Sequence, residues 1–322
     1  MPIGLGLGSS HGGSVFLETR EDFERFYVSR IRQNPQPPQA GAETPEMLEG
    51  WGDRIKNCWS TLEAQIRAYD PELLIVIGGD QDEMFDTSNV PSIMMYLGES
   101  AWAYNSASAD RRGGSVADRA EEDLVRFKVD VPTSRMLLNK LVAEEGFDVA
   151  FSAEMENLGH RSGGLPHAFH RPIPAVVPNL DIPMVVLYEN TYTPPSLSGE
   201  RCYQLGQTLA RLLKDDPRRI AIYGSGGLSH SFWPAPCWVD VKMDNWLLDR
   251  FAAGKGHETT PMFRADGHTF RNGTGEIRAW ITVAGAMEES GAHAVVVDHL
   301  TGAHANHGLA WAYWPQHEMA VR

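Results

Sequence analysis

Five short segments of the 322-residue chain place reactive side chains beside glycines or at the ends of apolar runs. They are Gly8-Ser-Ser-His11, Gly78-Gly-Asp80-Gln81-Asp82-Glu83, Glu156-Asn-Leu-Gly-His160, Tyr223-Gly-Ser-Gly-Gly-Leu-Ser-His230 and Gly275-Glu276. Glycine lets the backbone turn tightly and lets a ligand approach closely. An imidazole at the carboxyl end of a strand lies where open α/β sheets place their ligand crevice. Two histidines and one carboxylate are the donor set of a facial-triad Fe(II) site, which keeps positions open for substrate and dioxygen. Spare histidines then donate and accept protons. Each residue also has a plainer reading. A histidine beside glycines is often just solvated, residues 80–83 read equally as a polar loop, and an acid such as Glu276 suits the first turn of a helix. The chain has 12 histidines, so some clustering is expected by chance.

The elements that must position these residues alternate between strand and helix. Apolar runs at 2–8, 71–77, 147–152, 183–188, 218–223 and 292–298 read as strands. Helical spacing covers 17–33, 46–68, 132–145, 199–214, 246–253 and 274–285. In the second of these, Met47, Leu48, Trp51, Ile55, Trp59, Leu62 and Ile66 fall near one face, as do Ile277, Trp280, Ile281 and Ala284 in the last. Gln33-Asn-Pro-Gln-Pro-Pro-Gln breaks any helix. Residues 98–130 and the His- and aromatic-rich stretch 299–314 show no clear organisation. No repeat or long linker divides the chain. The pattern predicts an α/β fold, a central mixed or parallel sheet flanked by helices, in a single large domain over residues 1–322.

Composition narrows the partners. A formal charge of -14 argues against nucleic acid or an anionic membrane as the main partner. The three cysteines, Cys58, Cys202 and Cys237, fit neither a disulfide framework nor a thiolate zinc site. No run approaches the roughly 20 apolar residues of a membrane helix, and the N-terminus lacks a basic leader. A cytoplasmic location is expected.

The quoted segments together resemble the class III extradiol ring-cleavage dioxygenases, the family of the protocatechuate 4,5-dioxygenase beta subunit. Tyr192-Thr-Pro-Pro, Gly199-Glu-Arg-Cys-Tyr-Gln-Leu-Gly206 and Asp244-Asn245 extend the resemblance from Gly4 to about Gly285. It implies Fe(II) as cofactor, a small catecholic or related aromatic substrate, dioxygen as co-substrate, and a homo-oligomer or a pairing with a related subunit. It implies His11 and Glu276 as metal ligands, His230 as acid/base and His160 as a pocket histidine. The departure is the second ligand: where the family has Asp-His, this chain has Asp80-Gln81. A glutamine offers only a neutral carbonyl oxygen. Three readings follow. Gln81 ligates weakly or through water with Asp80 or Asp82 assisting; another histidine, such as His160, moves in; or iron is not bound. In the last case the pocket would serve a hydrolase or lyase step on a carbonyl compound, or the chain would be a non-catalytic partner subunit.

Overall fold

Four apolar runs line up as the parallel centre of one sheet. The computed structural model describes residues 3–33, 35–36, 42–104, 123–156, 163–231, 238–267 and 272–316. The strands are β1 Ile3–Ser9, β2 Leu73–Gly78, β3 Ile93–Tyr96, β4 Ser100–Tyr104, β5 Leu124–Lys128, β6 Ala150–Ser152, β7 Met184–Glu189, β8 Ile220–Ser225, β9 Val295–Gly302 and β10 His307–Pro315. The α-helices are α1 Arg20–Phe26, α2 Pro45–Tyr69, α3 Val131–Ala143, α4 His167–His170, α5 Ile173–Val176, α6 Gly199–Leu212, α7 Val241–Ala252 and α8 Ile277–Glu288. Eight strands form the main sheet in the order β6-β3-β7-β2-β8-β1-β10-β9, and β4-β5 form a separate hairpin ladder. Strands β7, β2, β8 and β1 run parallel, while β10 is antiparallel to β1 and β9 to β10.

The sheet is mixed, and the fold is α/β with helices on both faces, as expected. The central strands are buried on both sides, which is why they read as continuous apolar runs rather than alternating ones. Along β2, Leu73, Ile75 and Ile77 join the core on one face, and Leu74 and Val76 join the core on the other. The first core also takes Leu205 and Leu209 of α6, Leu247 and Phe251 of α7, and Trp280 of α8. The second takes Trp51, Ile55, Trp59 and Leu62 of α2.

Three expectations need correction. Met47 was placed on the buried face of α2, but it is 47% exposed. Helix α8 was read as one-faced, yet Ile277 through Met287 are all buried, because the helix lies between the sheet and α6. The stretches 98–130 and 299–314 hold β4, β5 and β10, and β9 overlaps the strand expected at 292–298 but runs on to Gly302. No described helix is long and apolar enough to cross a membrane.

Connectivity brings the reactive segments to one edge. His11 follows β1, residues 80–83 follow β2, Tyr192 follows β7, and Gly226–His230 follow β8, all at carboxyl ends of parallel strands. Strand β10 runs the other way, so its first residue, His307, arrives at the same edge.

Burial also leaves a charge-sensitive point in the core. Glu189, at the end of β7, is fully buried, and its Oε1 accepts a 2.6 Å hydrogen bond from Thr282 Oγ1. Burial raises its carboxyl from 4.5 to about 7, against the opposing pull of Thr282 and Arg278. Between those values the folded chain keeps a proton that the unfolded chain has released, so this group's contribution to stability falls as pH rises through the window. Glu189→Gln removes that dependence. Relative to the parent, the variant should gain on the order of 3 kcal/mol between pH 4 and 8. Urea unfolding across that range checks this; a difference that does not change with pH contradicts it.

Candidate metal centre and active site

The end of β1 is pinned before it delivers its histidine. Ser9 Oγ meets Tyr223 Oη, Ser10 Oγ donates to Gly227 O, and Ala310 N–H donates to Ser10 Oγ at 3.1 Å. His11 follows, 2% exposed, with Nδ1 2.8 Å from Ser225 Oγ and Nε2 3.1 Å from Glu276 Oε1.

Glu276 stands where a short 3₁₀ turn, Asn272–Glu276, passes into α8. It is 2% exposed. Besides His11, Tyr192 Oη–H donates to its Oε1, and Gly227 N–H donates to its Oε2 at 2.7 Å. Gly226 makes the approach possible: its φ is +138°, and a Cβ there would lie 2.4 Å from the Cβ of Glu276. Burial alone would raise this carboxyl, but His11, His167 and the Gly227 N–H outweigh it and hold the group below its ordinary value.

The second imidazole is His167, the first residue of α4, a residue the sequence reading left without a role. His11, His167 and Glu276 each offer a ligand atom, all within 4.8 Å of one another, and all three residues are buried. The His11 and His167 rings meet edge to face at 4.6 Å between centroids. His167 Nδ1 lies 2.7 Å from Glu83 Oε2, and its backbone N–H also donates to that carboxylate at 3.1 and 3.2 Å. An ionised carboxylate only accepts, so opposite it Nδ1 carries the proton.

Asp80 does not supply a ligand atom to this group. Its two oxygens accept the backbone N–H groups of Glu83 and Met84 at 2.9 and 2.7 Å, folding the turn after β2. Burial, then the neighbouring Glu83, raises its carboxyl to about 7. Gln81 is half-buried in the same turn, and the three-residue group includes neither it nor Asp80. His160, expected as a pocket histidine or as a substitute ligand, lies outside the described residues.

His230 is the next group out. Its Nε2 is 3.7 Å from Glu276 Oε2, and its Nδ1–H donates to Leu228 O at 3.0 Å, which leaves Nε2 as the acceptor. Burial, then the neighbouring His307, holds it well below the ordinary histidine value, so it is neutral and can take a proton. Its loop is fastened twice. His230 N–H donates to Thr274 Oγ1, and the buried Asp244 accepts both the N–H and Oγ–H of Ser229. The His230 ring stacks on His307 at 3.9 Å, a contact the sequence reading missed.

The donor set, two imidazoles and a carboxylate with further histidines alongside, can hold a metal and leave room for substrate. Residues 36–308 match the family model described as the catalytic LigB subunit of aromatic ring-opening dioxygenase. The chain belongs to this family. Within the LigB family the chain is 25% identical, over 63% of its length, to a 2,3-dihydroxyphenylpropionate/2,3-dihydroxicinnamic acid 1,2-dioxygenase of Photorhabdus laumondii. It is 28% identical over 48% of its length to a gallate dioxygenase of Pseudomonas putida. The alignments cover 56% and 44% of those relatives, so the chain spans about half the length of the curated relatives it matches. An uncharacterized protein of Escherichia coli K12 has the same fold, with a TM-score of 0.53, 14% identity, and coverage of 96% of this chain and 99% of that one.

One backbone position guards the His230 ring. A Cβ on Gly273 would lie 1.9 Å from His230 Nε2. Gly273→Ala should therefore push the ring off its stack on His307 while metal uptake by the three-residue group persists. Histidine NMR together with metal analysis tests this; an unmoved His230 resonance contradicts it.

Proposed function

We propose that the chain is a non-haem Fe(II)-dependent extradiol dioxygenase that opens a catecholic ring with dioxygen. The observation that carries this reading is the buried His11–His167–Glu276 group with His230 3.7 Å from its carboxylate, in a chain of the LigB family. The named relatives act on dihydroxylated or trihydroxylated aromatic acids, which supports a substrate of that class.

His11, His167 and Glu276 would hold the metal. The donor chemistry fits: two imidazoles and one carboxylate suit Fe(II), and a carboxylate this deeply buried is better matched by a cation than by hydrogen bonds alone. When bound, Fe(II) supplies open positions where a catechol and dioxygen meet, and the electron transfer that lets them combine. The protein's own residues do the rest. His230, neutral, takes a proton from a substrate hydroxyl and returns it as the ring opens. Tyr192 Oη–H and the Gly227 N–H keep Glu276 aimed while that charge moves. Buried Trp280, whose Nε1–H donates to Gly226 O at 2.8 Å, backs the glycine turn. Both atoms of dioxygen enter a ring-opened semialdehyde or keto acid.

Protein purified and reconstituted without oxygen should hold about one Fe(II) per chain. It should consume oxygen in equal amount to ring-opened product from 2,3-dihydroxyphenylpropionate or gallate. Iron-loaded protein that consumes no oxygen with any catechol contradicts the reading. His230→Ala should keep the iron and lose roughly 10²–10⁴-fold in kcat. Stopped-flow single turnover checks this, and a full-rate variant excludes His230 as the proton carrier.

A further inference from the structure

The turn after β2 carries three acids, and the proposed mechanism uses none of them. Glu83 is 7% exposed and His167 is also 7% exposed. One carboxylate oxygen meets His167 Nδ1 at 2.7 Å, and both oxygens accept the His167 backbone N–H. This carboxylate thus fixes the ring and anchors the first residue of α4 together. It is itself placed by Asp80, whose oxygens bind the Glu83 and Met84 N–H groups. The two segments are 84 residues apart in sequence, so the contact is tertiary and built by the fold.

We infer that Glu83 is the positioning residue of the metal centre: it sets the tautomer and orientation of His167, so that Nε2 faces His11 and Glu276. The inference rests on the proposal that His167 is a ligand. A buried carboxylate hydrogen-bonded to the far nitrogen of an imidazole makes that imidazole a stronger donor and removes its freedom to flip. The turn after β2 therefore serves the centre through an outer carboxylate. Glutamine at position 81 is then tolerated, because the imidazole arrives from α4 and only its support comes from this turn.

The test uses the full chain, with Fe(II) and Co(II) as probes under anaerobic conditions. Chelator competition gives the metal Kd of the parent, Glu83→Gln, Glu83→Ala and His167→Ala. Proton NMR of the Co(II) forms follows the exchangeable imidazole N–H signals shifted by the metal. Glu83→Gln should weaken binding about 10-fold and Glu83→Ala 10–100-fold, and both should move or broaden one shifted N–H signal while a second stays in place. A merely structural role would leave that signal where it is. If Glu83→Ala fails to fold, Glu83→Gln decides, since it is nearly isosteric: a Kd within twofold of the parent and an unmoved signal overturn the inference. Should His167→Ala bind metal as the parent does, the ligand reading fails and this inference with it. Loss of metal in His167→Ala alone, with both Glu83 variants unaffected, overturns only the role of Glu83.

Discussion

A carboxylate 2% exposed at the edge of a core is the constraint around which this protein is arranged. Glu276 lies where burial disfavours its charge, so the chain surrounds it with donors: the His11 imidazole, the Tyr192 hydroxyl and the Gly227 N–H. These donors come from the ends of three parallel strands, β1, β7 and β8, and the carboxylate from the start of α8. The glycine turn after β8 has the shape this convergence requires. With any side chain at 226, the backbone could not come close enough for the Gly227 N–H to reach Glu276.

The second imidazole is held in a similar way from the turn after β2, the strand between β7 and β8. Glu83 engages Nδ1 of His167 as Ser225 engages Nδ1 of His11, whose Nε2 meets Glu276. The helix that carries His167 is only four residues long, too short to hold a side chain by its own hydrogen bonds. Its first residue is held from outside by Glu83, and Phe169 and Ala168 are packed into the core beneath. The turn after β2 that supplies Glu83 is itself folded by Asp80, whose oxygens accept the Glu83 and Met84 N–H groups.

Most of the fold was legible from the chain. Strands β1, β2, β7 and β8 are buried on both faces and therefore written as unbroken apolar runs. Strand β3, Ile93-Met-Met-Tyr96, escaped notice because four residues give no period to read. Strand β9 was legible only at its start, and β10 was hidden by its mixture of histidine, glycine and tryptophan. In the site, His11, His230 and Glu276 are marked by the glycine and serine beside them. His167 and Glu83 carry no such mark, since each makes sense only next to the other. Gln81, a weak donor where the resemblance calls for a histidine, was a reason to look for an imidazole elsewhere, and His167, after Pro166 at the start of a short helix, was one candidate.

The central claim is that His11, His167 and Glu276 share one metal ion. Crystals of the Fe(II)-loaded protein, grown without oxygen and measured on both sides of the iron absorption edge, test it directly. The account predicts a single anomalous peak within bonding distance of His11 Nε2, His167 Nε2 and a Glu276 carboxylate oxygen, with His230 near the metal but not bonded to it. A peak bonded to Gln81 or Asp80 in place of His167 would contradict it.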